Sequence, residues 1–274
     1  CIRLEGVNST TSEDAHLDRI GALMAGIVAQ AGTGFSFYLH KVSKAVEVDL
    51  PPIEDTGFAG EIDRRWRAHL RASGLRDKTL TLTVLKRPET GRGLPFLAAA
   101  SRARLAQDTV RRLRKLDEVV GFILSTFDEM KPRLLSANSG ALLGFLGGLN
   151  TGCEHPLFPR SRFGILAEDV ANTRVTFDGP TIRLSDGAAG EKFGAIFAVK
   201  NYPAKTDALM LDELNLPVDM VVTHSFVAVN SNIMAGRIKR QLRLMQAAND
   251  GAVSLAEELE LAQDDLESKR LIRS

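Results

Sequence analysis

The sequence predicts an α+β fold of mostly antiparallel sheets with packed helices, for which two ferredoxin-like halves are one arrangement. Strand and helix patterns alternate along the chain, and a strand–helix–strand unit occurs near each end. A hairpin pattern lies between these units, where two alternating runs flank Asp178 and Gly179. A long helical segment is predicted to end the chain.

The N-terminal unit begins with a short strand in residues 2–5, where apolar and charged residues alternate. Thr11 and Asp14 can cap the next helix, whose apolar stripe runs from Leu17 to Ala31. A strand follows at residues 35–41. Together these elements predict one strand–helix–strand unit. In the C-terminal unit, Thr206 can cap a short helix that Pro217 ends.

Two further elements follow a proline-stiffened loop. An apolar stripe at helical spacing predicts a core-facing helix, with an interface anchor as the alternative role for its tryptophan: Phe58, Ile62, Trp66 and Leu70. In residues 78–88, leucines and Val84 alternate with threonines. We therefore expect a strand whose threonine face is half exposed.

The C-terminal unit carries strong strand signals. Residues 192–199 have a period of two, and residues 218–230 are apolar on both faces, which is typical of a central strand. From Met234 to Leu266, apolar residues recur at steps of three and four. Gly251 and the capping box from Ser254 to Glu257 predict two helices here, with a break near Gly251.

Composition excludes several classes of protein. The 274 residues carry a formal charge of +1, so no global basic field marks a dedicated nucleic-acid binder. Cys1 and Cys153 are too few for a disulfide framework or a four-thiolate zinc site. The chain opens on Cys1, from which we expect a fragment of a longer protein. No apolar run reaches the ~18–20 residues of a spanning helix, so we expect peripheral membrane contact or contact through a partner.

A long helix is predicted at residues 101–130, with an apolar stripe from Leu105 to Met130 facing inward. The strongest basic cluster lies in the first half of this helix, at Arg102, Arg104, Arg111, Arg112, Arg114 and Lys115. These residues could bind anionic lipid or nucleic acid. Alternatively, they pair with acidic residues between Ser254 and Ser268, within the chain or between subunits. We favour pairing and keep a nucleic-acid-binding domain acting through residues 102–115 as the alternative.

Two apolar segments are further interaction candidates. Residues 136–150 form an apolar helix whose glycines permit close packing; we favour core burial, with docking through Leu142 and Phe145 as the alternative. The loop around Phe96 is also more apolar than a solvated connection requires.

The sequence identifies no catalytic, cofactor-binding or metal-binding residues. Gly187 and Gly190 are misspaced for a phosphate-binding glycine loop, and Phe193 stands where the magnesium-binding hydroxyl belongs. His16 and His40 lack ligand partners at useful spacing, which favours packing or surface roles. We therefore predict that this chain is not itself an enzyme.

The run GAIFAVKNYPAKTDALMLDELNLP, the later HSF and the run AQDDLESKR resemble the N-terminal region of the CagE/TrbE/VirB family of type IV secretion and conjugation ATPases. The opening strand, the helix containing TSEDAHLDRIGALMAGIVAQ and the strand FSFYLHK are similar to the start of that family. The resemblance covers nearly the whole chain.

This resemblance implies that residues 1–274 are an assembly domain of a larger ATPase, which powers translocation of DNA or protein and pilus assembly. We expect subdomains at 1–135 and 136–250, and a helix at 251–274 leading to a C-terminal ATPase domain that would bind ATP and magnesium. The implied location is the cytoplasmic face of the bacterial inner membrane. The implied partners are other secretion subunits, including a small inner-membrane subunit, and further copies in a hexamer or dimer-based assembly.

Overall fold

The computed structural model describes residues 1–7, 11–46, 51, 57–87, 102–161, 164–171, 173–185, 190–199, 216–228 and 234–240, and its helices and antiparallel sheets confirm the α+β class. The helices are α1 (Asp14–Ala31), α2 (Phe58–Ala72), α3 (Arg102–Thr126), α4 (Ala141–Thr151) and α5 (Leu166–Val170), with a 3-10 turn at Asp128–Met130. The strands are β1 (Ile2–Leu4), β2 (Phe35–Ala45), β3 (Arg76–Lys86), β4 (Arg133–Leu134), β5 (Arg174–Asp178), β6 (Thr181–Ser185), β7 (Glu191–Gly194) and β8 (Met220–Val227). Residues 234–240 are helical, whereas residues 200–215, where the helix before Pro217 is expected, and the predicted helix at 251–274 lie outside the described residues.

The larger sheet has the strand order β4-β1-β3-β2-β8. β1 and β4 are antiparallel, with Ile2 opposite Leu134. The backbone N–H of Val46 donates to Leu75 and that of Arg87 donates to Gly34, so β2 and β3 also run antiparallel. β3 lies between β1 and β2, while β1 lies between β3 and β4. This interleaving is the ferredoxin-like arrangement, with α2 inserted between β2 and β3.

The chain divides into two compact units, each built from separate segments. One unit contains Cys1–Asp14, His40–Thr81 and Met130–Thr223, and the other contains Ala15–Leu39, Leu82–Glu129 and His224–Ser274. β2, β3 and β8 each contribute residues to both units. The predicted subdomain boundary near residue 135 stays a prediction.

The second unit has its core where α1, α3 and the adjoining strand segments carry their largest apolar residues. The buried side chains are Ile27, Val28, Phe35, Phe37, Leu82, Ile123 and Phe127. The predicted stripe of α1 is accordingly on its covered side. The stripe of α3 is buried at its C-terminal end, but Leu113 is 53% exposed, so the expectation of an inward stripe along the whole helix is wrong.

The first unit has its core at Ile2, Leu4, Met130, Leu143 and Phe145. α4 starts after Gly140 and ends at Gly152, both with a positive φ angle near 70° that favours glycine. The N–H of Gly152 donates to the carbonyl of Gly148 and closes the last turn. The apolar helix predicted at residues 136–150 is therefore a core helix of this unit.

β8 confirms the predicted strand but not its predicted central position. It is the last strand in the order of the described sheet, and its residues alternate between half-buried and exposed. Asp219, directly before β8, accepts a 2.9 Å hydrogen bond from the backbone N–H of Ala45 on β2 and pairs with Arg76. These donors lower the pKa of the Asp219 carboxyl, the Ala45 N–H being the largest cause. An apolar run on both faces thus forms an edge strand here.

Two other strand expectations are corrected. The expected half-exposed threonine face of β3 holds at Thr79 and Thr83, which are half-buried, but not at Thr81, which is fully buried. The strand expected over residues 192–199 ends at Gly194, and Phe197 beyond it is 92% exposed.

His40 is a packing residue. It is 7% exposed, shares a 2.9 Å hydrogen bond between Nδ1 and the Thr223 hydroxyl, and lies edge-on to the Phe145 ring with centroids 5.6 Å apart. Burial lowers the pKa of His40, since the interior disfavours the charged imidazolium.

Acid should therefore weaken the fold through His40. The unfolded chain takes up this proton more readily, so the stabilisation is complete above its unfolded pKa of about 6.5 and is lost as pH falls below it. We expect the free energy of unfolding to fall between pH 7.5 and pH 5.5 by at most about 1.4 kcal/mol per pH unit from this group. Urea unfolding of wild type and His40→Gln at both pH values measures the effect. An unchanged pH dependence in the variant would contradict it.

Candidate interaction surfaces

α2 has the opposite orientation from the predicted one. Phe58 is 82%, Ile62 is 51% and Trp66 is 56% exposed, so the assignment of this stripe to the core is wrong. The three residues follow one another at four-residue steps and share one side of the helix, which we call the outer face of α2. Leu70, the fourth predicted core residue, is half-buried.

The inner side of α2 is polar instead. Gly60 is buried, and the side chains of Asp63 and Arg67 are only 15% and 14% exposed. Arg67 Nε donates to Asp63 Oδ2 at 2.6 Å, and the guanidinium also donates to the carbonyl of Pro51. The buried charges satisfy each other, which allows a polar face to pack inward.

The β5–β7 sheet presents a second apolar surface. Val175 lies opposite Leu184 and Phe177 opposite Ile182, so these four side chains share one side, which we call the meander face. Val175 is 44% and Phe177 72% exposed. Phe193 lies opposite Arg183, on the other side of the sheet, and is 68% exposed.

The side chain of Lys192 links this sheet to the rest of its unit. Lys192 Nζ donates to the carbonyl of Thr151 at 3.2 Å and contacts Cys153 Sγ at 2.9 Å. Lys192 is on β7, so the anchor is at one edge of the sheet, and β5 forms the other edge. A three-stranded sheet needs an apolar face covered to be stable, and the exposed side chains of β5 leave that cover incomplete.

The basic cluster on α3 is partly engaged within the helix. Arg111 pairs with Asp108 at 2.7 Å, and Arg112 donates to the Asp108 carbonyl at 3.3 Å. Arg114 and Lys115 are exposed. Asp108 therefore contacts two members of the cluster, Arg111 through its carboxylate and Arg112 through its backbone carbonyl. Pairing of the cluster with the acidic tail stays a prediction. The tail itself lies outside the described residues.

The remaining candidate residues from the sequence lie in different environments. Phe145 is 1% exposed, with Arg3 Cζ 5.8 Å from its ring centroid, so it is a core residue and not a docking residue. Leu142 is half-buried. Arg102 and Arg104 lie in α3, but their side chains are outside the described part, as is Phe96. Their interaction roles stay predictions.

Sequence reasoning missed the outer face of α2 and the meander face. The periodicity of α2 was read correctly, but periodicity does not say which side of a helix the protein covers. A usable signal was the crowding of arginines around the only tryptophan. The Asp63–Arg67 pair at four-residue spacing also showed that the polar side could neutralise itself.

The described residues were also considered for membrane-spanning helices and for metal sites, and they contain neither. None of the described helices combines the length and apolar character needed to cross a membrane. Within the same described ranges, no group of three or more His, Cys, Asp or Glu residues could hold a metal ion.

Comparison with known proteins places this chain in a class of type IV transporter system components. Residues 128–272, just over half of the chain, match the model of the CagE, TrbE, VirB family, and residues 1–93 match the N-terminal domain of the type IV secretion system ATPase VirB4/TrbE. This chain belongs to the CagE/TrbE/VirB family. The domain model that residues 1–93 match describes the N-terminal domain of an ATPase.

Two curated relatives are similar over nearly the whole chain. The type IV secretion system protein virB4 of Bartonella quintana (strain Toulouse) is 27% identical over 288 residues, which cover 98% of this chain and 36% of the relative. The protein of the same name from Bartonella henselae (strain ATCC 49882 / DSM 28221 / CCUG 30454 / Houston 1) is 27% identical over 285 residues, with the same two coverages. The chain thus spans about a third of the length of the curated relatives that it matches.

Proposed function

We propose that this chain is the N-terminal, non-catalytic assembly region of a type IV secretion ATPase that powers translocation of DNA or protein and pilus assembly. It docks the motor at the cytoplasmic face of the inner membrane by contacting a small inner-membrane subunit. It also contacts neighbouring protomers in a hexamer or dimer-based assembly. ATP and magnesium bind in a C-terminal domain, not in this region.

The observation that carries the proposal is the exposed meander face. Val175 and Phe177 expose apolar surface on β5, an edge strand of the described sheet. Their partners on β6, Leu184 and Ile182, are apolar as well. Apolar side chains displayed together on a sheet are typical of a protein-binding site. The small membrane subunit is the occupant that the family resemblance implies.

The nucleic-acid alternative has less support. Among the described residues of the basic cluster, Arg111 is engaged with Asp108 and Arg112 is half-buried, which leaves Arg114 and Lys115 as exposed cations. The chain as a whole carries a formal charge of only +1. Since phosphate contacts dominate affinity for DNA, a partly self-paired cluster on a nearly neutral chain favours protein contact over nucleic acid.

Co-expression tests the proposal. Expressed alone, most of the chain should remain in the soluble fraction, and it should move to the membrane fraction when the cognate small membrane subunit is present. The double variant Val175→Thr, Phe177→Thr keeps strand propensity but removes apolar contact, so it should lose most of this recruitment. Immunoblotting of the two fractions measures the shift.

The matched control is Phe193→Thr, on the opposite side of the same sheet. It should be recruited as well as wild type, because the meander face is intact. Equal recruitment of the double variant and the control would remove the meander face from the docking site. A wild-type chain that stays in the soluble fraction when the subunit is present would contradict the proposed function.

A further inference from the structure

The chain of β7 continues beyond the sheet to which the strand belongs. Its partner β6 begins at Thr181, and Ile182 lies opposite Gly194, the last residue of β7. Only Thr181 is left to face anything beyond Gly194, so the β5–β6 hairpin ends where the chain of β7 goes on. Residues 195–199 follow without a turn or a bend, and we call them the β7 overhang.

The backbone of the β7 overhang has no strand beside it. In the part of the chain that the structure describes, neither the strand ladders nor the other backbone hydrogen bonds reach residues 195–199. β7 itself is an edge strand of the described sheet. Peptide groups that are left unpaired at a sheet edge are a template for a further strand. The occupant that this backbone fits is therefore an extended segment of protein.

The side chains of the β7 overhang are apolar and exposed. Ile196 is 77%, Phe197 is 92% and Val199 is 49% exposed, and the other two residues are alanines. Proteins usually protect an edge strand against pairing with lysine, proline or another charged residue. The β7 overhang contains none of these. Its sequence thus favours an edge that is paired over an edge that stays in water.

We propose that the β7 overhang pairs, antiparallel, with the β7 overhang of a second copy of this chain. The two three-stranded sheets then join across a two-fold axis into one continuous sheet. Such a contact uses the same residues on both copies. The inference rests on the proposed function, in which neighbouring protomers are in contact, and it names the surface through which they bind.

Self-complementarity selects a second copy as the occupant. With the two-fold axis at Phe197, Ile196 lies opposite Ala198 of the second copy. Ala195 lies opposite Val199 in the same way. Each large aliphatic side chain therefore has a small one across from it, and the two Phe197 rings form a cross-strand aromatic pair. Because the β7 overhang is uncharged, no like charges oppose the approach of an identical segment.

The contact is small, so we expect it to be reversible. Two strands of the length of residues 195–199 bury less surface than the about 1,200 Å² at the lower limit of stable interfaces. Dimer formation should therefore increase with protein concentration. A contact of this strength suits protomers that other regions of the ATPase hold close together, because a high effective concentration strengthens weak binding.

Sedimentation velocity of the 274-residue chain at increasing concentration measures this self-association. Phe197→Lys and Phe197→Glu each bring two like charges together at the axis, so each variant should weaken dimer formation roughly tenfold or more. An equimolar mixture of the two variants should recover most of the lost association, because opposite charges then face each other. Only a contact that places position 197 opposite itself predicts this recovery.

The matched control is Phe58→Lys on α2. The Phe58 ring is 82% exposed, so the substitution also replaces an exposed phenylalanine by a charge, away from the β7 overhang. This variant should self-associate like wild type. Circular dichroism should be the same for all of these proteins, since every changed side chain is exposed.

Three results would overturn the proposal. They are a wild-type chain that stays monomeric at every concentration, a mixture of the two Phe197 variants that associates no better than either alone, and an equal loss of association in the Phe58→Lys control. Recruitment by the small membrane subunit is a separate measurement. It should be the same for Phe197→Lys as for wild type, because the four residues of the meander face are unchanged. This proposal and docking at the membrane therefore fail separately.

Discussion

Replacing Phe145 by alanine should lower the free energy of unfolding by about 3–5 kcal/mol, the range for removing a large buried aromatic side chain. The Phe145 ring is 1% exposed, lies under the Arg3 guanidinium and meets the His40 ring edge-on. Arg3 also donates two 2.9 Å hydrogen bonds to Glu154. Truncation leaves a cavity beneath this charged group and removes two aromatic contacts.

Urea unfolding followed by circular dichroism measures the loss. The matched control is Phe177→Ala, where the ring is 72% exposed and the expected change is within about 0.5 kcal/mol. A loss below about 1 kcal/mol for Phe145→Ala would show that α4 is not part of the core.

Replacing Gly144 by alanine should destabilise the same helix by about 1–3 kcal/mol through overpacking. A Cβ atom on Gly144 would lie 2.3 Å from the carbonyl oxygen of His155 and 3.4 Å from Cα of Pro156. Both contacts are with backbone, which cannot rotate away. The segment is held against α4 because Leu157 N–H donates to the Gly140 carbonyl at 3.1 Å. Thermal unfolding of the variant measures the cost.

Gly147 provides the control, because it is buried in the same helix. A Cβ there would meet Leu157 Cδ2 at 3.5 Å, an ordinary contact. Gly147→Ala should therefore be neutral or stabilising by up to about 1 kcal/mol, as expected from helix propensity. If the two alanine variants unfolded alike, close packing of residues 153–158 on α4 would be disproved.

Much of the fold was predictable because local patterns state which elements form. The stripe from Leu17 to Ala31 predicted α1, and the alternation around Leu82 predicted β3. The turn at Asp178 and Gly179 predicted the β5–β6 hairpin, whose Gly179 has a φ angle of 58°. These features depend only on neighbours along the chain.

Position within the fold was harder to predict. The apolar run of β8 indicated a central strand, but the strand lies at the edge of the described sheet. The stripe containing Trp66 indicated a core helix, but tertiary packing placed the Asp63–Arg67 pair inward. Which face is covered depends on elements distant in sequence and on partners, and periodicity does not encode either.

Among the interaction candidates, too, the residue types were visible in the sequence, whereas their burial and partners depended on the fold. Phe145 was considered both as core and as docking residue, and only the fold placed it inside. The basic residues of α3 were visible in sequence, whereas the engagement of Arg111 with Asp108 depends on side-chain geometry. The meander face was missed because the register that aligns Val175 with Leu184 is a property of the paired strands.

Hydrogen–deuterium exchange tests the central claim, that this region docks the motor onto a membrane subunit, most directly. The chain is compared in detergent solution with and without the cognate small inner-membrane subunit. The account predicts slower exchange in β5 and β6 and unchanged exchange in α2, which does not contribute to the meander face. Binding of the subunit with no protection in residues 174–185, or with protection confined to α3, would contradict it.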